Sequence, residues 1–167
     1  MNVIAVRSRT RSRAWLCSAT VPESRGTVCI KSTNALAPPV IRPNYLSTRK
    51  DCDVLVAGMK IAQHLVDAAP LHGYVAREHE PAKRPSSDDE WLQYLRERGG
   101  ISFHPVGTCR MGNDDGAVVD ERLRVRGIGG LRVVDASIMP TLVSGNTNAP
   151  VIMIGEKGAD MILEDHA

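Results

Sequence analysis

Aromatic residues are nearly missing from this chain, with one Phe, two Trp and three Tyr among 167 residues. Any core must therefore be built from aliphatic side chains. Cysteine is sparse as well: Cys17, Cys29, Cys52 and Cys109 stand apart, no two at CxxC spacing. That argues against a zinc site and against a small secreted domain stapled by disulfides. Scattered thiols suit a reducing compartment, and the expected location is cytoplasmic. Neither charge dominates, with 21 Lys and Arg against 19 Asp and Glu, a net +2, so a nucleic-acid partner is not expected. No apolar run approaches the roughly 18–20 residues that cross a bilayer, so no transmembrane segment is expected. The start has charge but no apolar signal region. It carries Arg7, Arg9, Arg11 and Arg13 without an acidic neighbour, and residues 1–15 are read as disordered. A phosphate-cradling loop is also missing. Gly127-Ile-Gly-Gly130 lacks GxGxxG spacing and precedes a strand-like segment where the dinucleotide fingerprint would follow one, and there is no Walker A motif.

What is present reads as a globular chain, 43% hydrophobic and 24% charged, long enough for a sizeable core. Val28–Lys31 is expected to be a strand. Pro38, Pro39 and Pro43 force residues 35–43 into an extended path. Asp51–Ala69 reads as the main helix of the first half, with Leu55, Met59, Ala62 and Val66 on one stripe and Val54, Ile61 and Leu65 widening it. Asp51 and Asp53 sit at its start, where the helix dipole favours negative charge, and Pro70 marks its end. Ser87-Asp-Asp-Glu90 has the form of a capping box before a short helix with Trp91 and Leu95 on one face, ended by Gly99-Gly100. Short strands are expected at 116–120, 122–125 and 131–134, with a turn at 127–130. Pro150 fits the first position of a C-terminal helix with Val151, Ile154, Gly158 and Ile162 on one face. In that helix Gly155, Gly158 and Ala159 permit close packing.

Four features carry chemistry. His104, in Ile101-Ser-Phe-His-Pro-Val-Gly-Thr-Cys-Arg-Met-Gly112, has the side chain best suited to accept a proton near neutral pH; alone it could equally be a structural histidine. Asn146 can donate to a substrate oxygen without changing charge. With the cap expected at Asn148 or Ala149, it is left in the preceding loop. The N-terminus of the helix at Pro150 offers unpaired N–H groups and partial positive charge. Asp135-Ala136-Ser137 ends the 131–134 segment, where ligands often approach, although a strand-to-turn cap explains it as well.

The run His104-Pro-Val-Gly-Thr-Cys-Arg-Met-Gly112, followed by Val118-Val-Asp120, Leu131-Arg-Val-Val-Asp-Ala-Ser-Ile-Met-Pro140 and Ser144-Gly-Asn-Thr-Asn-Ala-Pro-Val-Ile-Met-Ile-Gly-Glu-Lys157, closely resembles the C-terminal part of the glucose–methanol–choline oxidoreductases. It is most similar to the bacterial choline and alcohol dehydrogenase branch. Pro22–Thr27, Ala37–Pro39 and Arg42–Tyr45 fit the segment upstream, and the resemblance spans residues 16–165. It implies an α+β fold, an antiparallel sheet with helices, taken as one C-terminal domain over 16–167. It further implies an FAD-dependent enzyme oxidising the CH–OH group of an alcohol, with hydride passing to flavin N5. On the matching positions, His104 and Asn146 are the catalytic pair, while Asp135, Ala136, Asn146 and Thr147 lie against the flavin. No metal is implied. Choline and other alcohols, and oxygen and quinone acceptors, remain equally open.

The family's flavin-binding half, with its glycine fingerprint, has no counterpart in this chain. The expectation is a truncated reading frame that binds FAD weakly or not at all and has little activity alone. The alternative is a non-catalytic subunit or interaction module that complements a separate flavin-binding chain. A purely structural module would instead keep His104 and Asn146 apart.

Overall fold

Thr48 stops the extended chain and starts the longest helix: its backbone is extended at φ −107° and ψ 149°, and its hydroxyl accepts from the Asp51 N–H at 3.3 Å. The computed structural model describes residues 21–75 (His72 by its backbone), 80–81 and 83–166, together with the backbone of 3–4 and 17–18. In order, the elements are β1 (Val3–Ile4), β2 (Cys17–Ser18), β3 (Thr27–Cys29), β4 (Val40–Arg42), α1 (Arg49–Asp67), α2 (Ala69–His72), α3 (Asp88–Arg98), a 3-10 turn (Ala136–Ile138) and α4 (Asn148–Asp165). The class is α+β, with the sheet reduced to two antiparallel pairs, β1 with β2 and β3 with β4. Apart from the four residues of β1 and β2, residues 1–20 lie outside the described ones, and most of the expectation for 1–15 falls there. The chain divides into two compact units, one of residues 25–44 and 104–167, the other of residues 2–24 and 45–103.

The unit of residues 2–24 and 45–103 is held by α1 and α3. Leu55 and Val56 of α1 meet Trp91 and Leu95 of α3, and Leu46, Met59, Leu92 and Tyr94 close around them. Trp91 and Leu95 lie on the expected face. On α1 the buried stripe is narrower than its periodicity suggested, since Val54, Ile61 and Leu65 are exposed and Val56 takes the place beside Leu55. Asp51 does more than answer the helix dipole. Its carboxylate is buried, accepts from the backbone N–H groups of Glu23 at 2.9 Å and Ser24 at 2.7 Å, and also takes the Ser24 hydroxyl. Ser87 caps α3 as expected, accepting from the Glu90 N–H at 3.2 Å. The return bond of the capping box is displaced by one residue, with the Glu90 carboxylate taking the N–H and hydroxyl of Ser86 at 2.6 and 2.8 Å.

In the unit of residues 25–44 and 104–167, β3 and β4 pair in the register Thr27↔Arg42, Val28↔Ile41 and Cys29↔Val40. The proline-rich approach to β4 opens with a turn at 35–36 before it extends. Gly26 is required at the entry: a Cβ there would lie 2.3 Å from the Arg42 carbonyl oxygen. The strands expected at 116–120, 122–125 and 131–134 do not form. Single bridges Met111↔Val119, Val119↔Val125 and Arg124↔Arg132 stand in their place, with turns at 115–116, 121–122, 126–127 and 129–130 between them. Gly127 and Gly130 make the expected turn with φ of +77° and +71°. The core is aliphatic and assembled from loops, the 3-10 turn and α4: Val119, Leu123, Ile138, Met139 and Ile154 are buried together.

Helix α4 begins two residues before the position read from Pro150 and packs on the 3-10 turn. Its close approach is made by Gly158 alone among the three small residues singled out. A Cβ on Gly158 would meet the Val134 Cγ1 at 2.4 Å, whereas a Cβ on Gly155 would meet nothing within 4 Å, and Ala159 is exposed. Valine has little rotameric freedom to retreat. Gly158→Ala should therefore destabilise the protein by about 1–3 kcal/mol, while Gly155→Ala should be neutral or stabilising by up to ~1 kcal/mol through helix propensity. Denaturant melts of the two variants test this, and equal effects would contradict the packing described. The outer face of α4 leaves Ile152, Met153 and Leu163 exposed.

Candidate active site

Pro105 and Gly107 shape the loop that carries His104. Gly107 takes φ +88°, and a Cβ there would sit 3.3 Å from the Met139 carbonyl oxygen. The loop then runs alongside the 3-10 turn: the Cys109 N–H donates to the Ser137 carbonyl at 3.0 Å and the Met111 N–H to that of Ile138 at 2.8 Å. Val106 and Met111 pack against the same core as Ile138 and Ile154. Arg110, within the histidine motif, forks onto the Asp114 carboxylate, one of the two bonds measuring 2.8 Å. The Arg110 guanidinium, helped by the Gly116 N–H, holds the Asp114 carboxyl far below the usual carboxylate range. This pair braces the following turn, and a Cβ at Gly116, 2.6 Å from the Arg110 guanidinium, would displace that group.

The imidazole of His104 is half-buried, and its Nδ1 lies 2.8 Å from the hydroxyl oxygen of Thr147. That is its one hydrogen-bond partner among the described residues. Thr147 is itself buried and occupies the N-cap position of α4. The histidine and the start of α4 are thereby joined across 43 residues of sequence. Asn146, immediately before Thr147, lies in the loop ahead of α4 as expected; it is exposed and has no hydrogen-bond partner among the described residues. Asp135 is exposed, and its carboxylate accepts from the Ser137 N–H at 2.7 Å, capping the 3-10 turn. Ala136 is half-buried beside it and packs against the core that α4 shares.

Sequence reasoning brought His104 and the 146–147 loop into one site, but it missed that the side chain touching the histidine is Thr147. The available signal was Pro150 three residues on, since proline at the third helical position removes the N–H that a capping threonine would bind. At the other end of α4, Asp165 gathers Arg122 at 2.9 Å, Arg124 at 2.5 Å and Arg132. The Arg124 and Arg132 guanidiniums, against the effect of desolvation, hold its carboxyl far below the usual range. These arginines tie the 122–132 loops to the helix that carries Thr147. No helix among the described residues is long and apolar enough to cross a membrane.

The family profile described as GMC oxidoreductase, C-terminal part, matches residues 22–155. The chain is 49% identical over 143 residues to an alcohol dehydrogenase [acceptor] of Pseudomonas putida, covering 86% of this chain and 26% of that protein. It is 45% identical over 139 residues to an oxygen-dependent choline dehydrogenase of Escherichia coli, covering 83% and 25%. Among solved structures, an FAD-dependent oxidoreductase from Chaetomium thermophilum superposes with a TM-score of 0.79 at 30% identity, covering 90% of this chain and 26% of that one. The chain thus spans about a quarter of the length of the curated relatives it matches. With the profile matching most of the chain, the chain belongs to the GMC oxidoreductase family, as its C-terminal domain.

Proposed function

We propose that this chain forms the C-terminal part of an FAD-dependent oxidoreductase acting on the CH–OH group of an alcohol, of the choline and alcohol dehydrogenase type, working in the cytoplasm. The contact between His104 and Thr147 at the start of α4 carries the reading: it sets a proton acceptor beside a helix N-terminus. FAD, when bound, supplies the hydride acceptor. The residues present fit one end of such a group. Thr147 makes no side-chain cap on α4, so the first N–H groups of the helix face outward with partial positive charge. Ala136 puts a small side chain at the adjoining turn.

His104 takes the hydroxyl proton of the substrate at Nε2, the ring nitrogen that does not face Thr147. The Asn146 amide donates to the same substrate oxygen and orients it, and the helix start favours negative charge developing nearby. Asp135 holds the 3-10 turn in shape, and Asp135, Ala136, Asn146 and Thr147 are the residues that would hold the flavin when it is bound.

Because the chain corresponds to about a quarter of its relatives, it is expected to retain little FAD alone. Mixing it with the separately produced N-terminal three quarters of the Pseudomonas putida relative tests the reading. FAD should be retained through gel filtration only when both pieces are present, and an added alcohol should bleach it. Failure of the mixture to retain FAD, or retention without any response to alcohols, would count against the proposal. Stoichiometric FAD on the chain alone would overturn the expectation of weak binding.

A further inference from the structure

The hydroxyl of Thr147 stands where an N-cap side chain stands, yet it caps nothing. Counting from Thr147, the third helical residue is Pro150, which has no N–H to offer. Thr147 also lacks the extended backbone of a capping residue, with φ −84° and ψ −5°. The acceptor capacity that a capping threonine normally spends on its own helix is therefore unspent, on a side chain that is 8% exposed. The group it meets is His104 Nδ1, at 2.8 Å. A neutral imidazole carries its proton on one nitrogen only, and the hydrogen bond made by one nitrogen decides which.

We infer that Thr147 is a positioning residue: its hydroxyl oxygen accepts the Nδ1–H of His104, fixing the tautomer in which Nε2 keeps its lone pair. This rests on the proposed role of His104 as proton acceptor and deepens it. A histidine protonated at Nε2 could donate to a substrate oxygen but could not take its proton. The threonine makes the ring a base on the side away from α4 before any substrate arrives. It also keeps a partner for Nδ1–H once Nε2 has been protonated, without adding a second charge beside the positive helix terminus.

The experiment is long-range ¹H–¹⁵N correlation NMR of the chain near pH 8, where the two ring nitrogens of each neutral tautomer give distinct cross-peak patterns. His104 is assigned by comparison with His104→Gln. The wild type should show the Nδ1–H tautomer as the major form. Thr147→Ser, which keeps the hydroxyl, should retain it. Thr147→Val, which keeps the shape without the acceptor, should shift the tautomer ratio toward Nε2–H by roughly fivefold, the weight of one ordinary hydrogen bond. A wild-type His104 that is mainly Nε2–H overturns the inference whether or not either variant folds, and so does a Thr147→Val spectrum unchanged at His104. The readout needs neither flavin nor alcohol, so a tautomer as described alongside failed flavin retention would count against the proposed function and not against Thr147.

Discussion

Replacing His104 with Ala, in a fusion of this chain to the N-terminal three quarters of the Pseudomonas putida relative, should slow alcohol-dependent flavin reduction by about 10²–10⁴-fold, the usual contribution of a positioned general base. The imidazole is half-buried, so its loss opens no large cavity, and its partner Thr147 remains anchored at the start of α4. FAD content and melting temperature should therefore change little. The loss should appear in the rate of reduction and be much smaller in the concentration of alcohol needed for half-maximal rate, because proton removal belongs to the transition state more than to binding. Asn146→Ala should act through both quantities, since an amide that orients the alcohol oxygen contributes to binding as well. Rapid mixing without oxygen measures the rate. A His104→Ala fusion reduced at the rate of its parent would show that this residue takes no proton.

The largest expected effect on stability lies at Asp51, on the first turn of α1. Its carboxylate accepts three donors from Glu23 and Ser24, which precede it by 28 and 27 residues. Asp51→Ala leaves two backbone N–H groups and a hydroxyl without that acceptor in a site where the aspartate itself is 4% exposed. The cost should be about 3 kcal/mol, read as a lower urea midpoint. Trp91, 4% exposed in the core of the same unit, provides a local fluorescence signal. Burial by itself would raise the Asp51 carboxyl, but the bonds from Ser24, Glu23 and Thr48 outweigh it and the net direction is down. A carboxyl lowered in the folded state contributes stability that is fully present above its unfolded value, about 3.9. That stability is lost as pH falls through the lower folded value. The difference between wild type and Asp51→Ala should accordingly shrink in acid. A difference of the same size at pH 7 and at about pH 2 would contradict the role given to the carboxylate.

Local rules made the helices legible. Trp91 and Leu95 share a face at helical spacing and Ser87 precedes a run of acids, whereas the α+β class comes from the family resemblance carried by the motifs from His104 to Lys157. The failures have a common physical origin in contacts between residues far apart in the chain. Asp51 looks like an ordinary residue for a helix start, and nothing at its own position reveals that Ser24 will reach it. The valine-rich segments near 118, 124 and 133 have strand composition, but they bury their side chains around Ile154 as single bridges between turns, so packing overrides β-propensity. At the site, His104 and the 146–147 loop stood out through their motifs. The exposure of Asn146 and the contact made by Thr147 depended on where α4 begins. A proline is acceptable at the first helical position and also at the third: the first would leave Thr147 two residues outside the cap, and the third puts it at the N-cap, where its hydroxyl meets the histidine.

The most direct measurement is the absorbance of the flavin in the wild-type fusion when a primary alcohol is added without oxygen. The alcohol should give up its hydroxyl proton and a hydride and leave as the aldehyde. The flavin band should bleach fully, with one aldehyde formed per FAD. A fusion that retains FAD and is bleached by dithionite, yet stays yellow with every alcohol offered, would contradict the proposed part of this chain in alcohol oxidation.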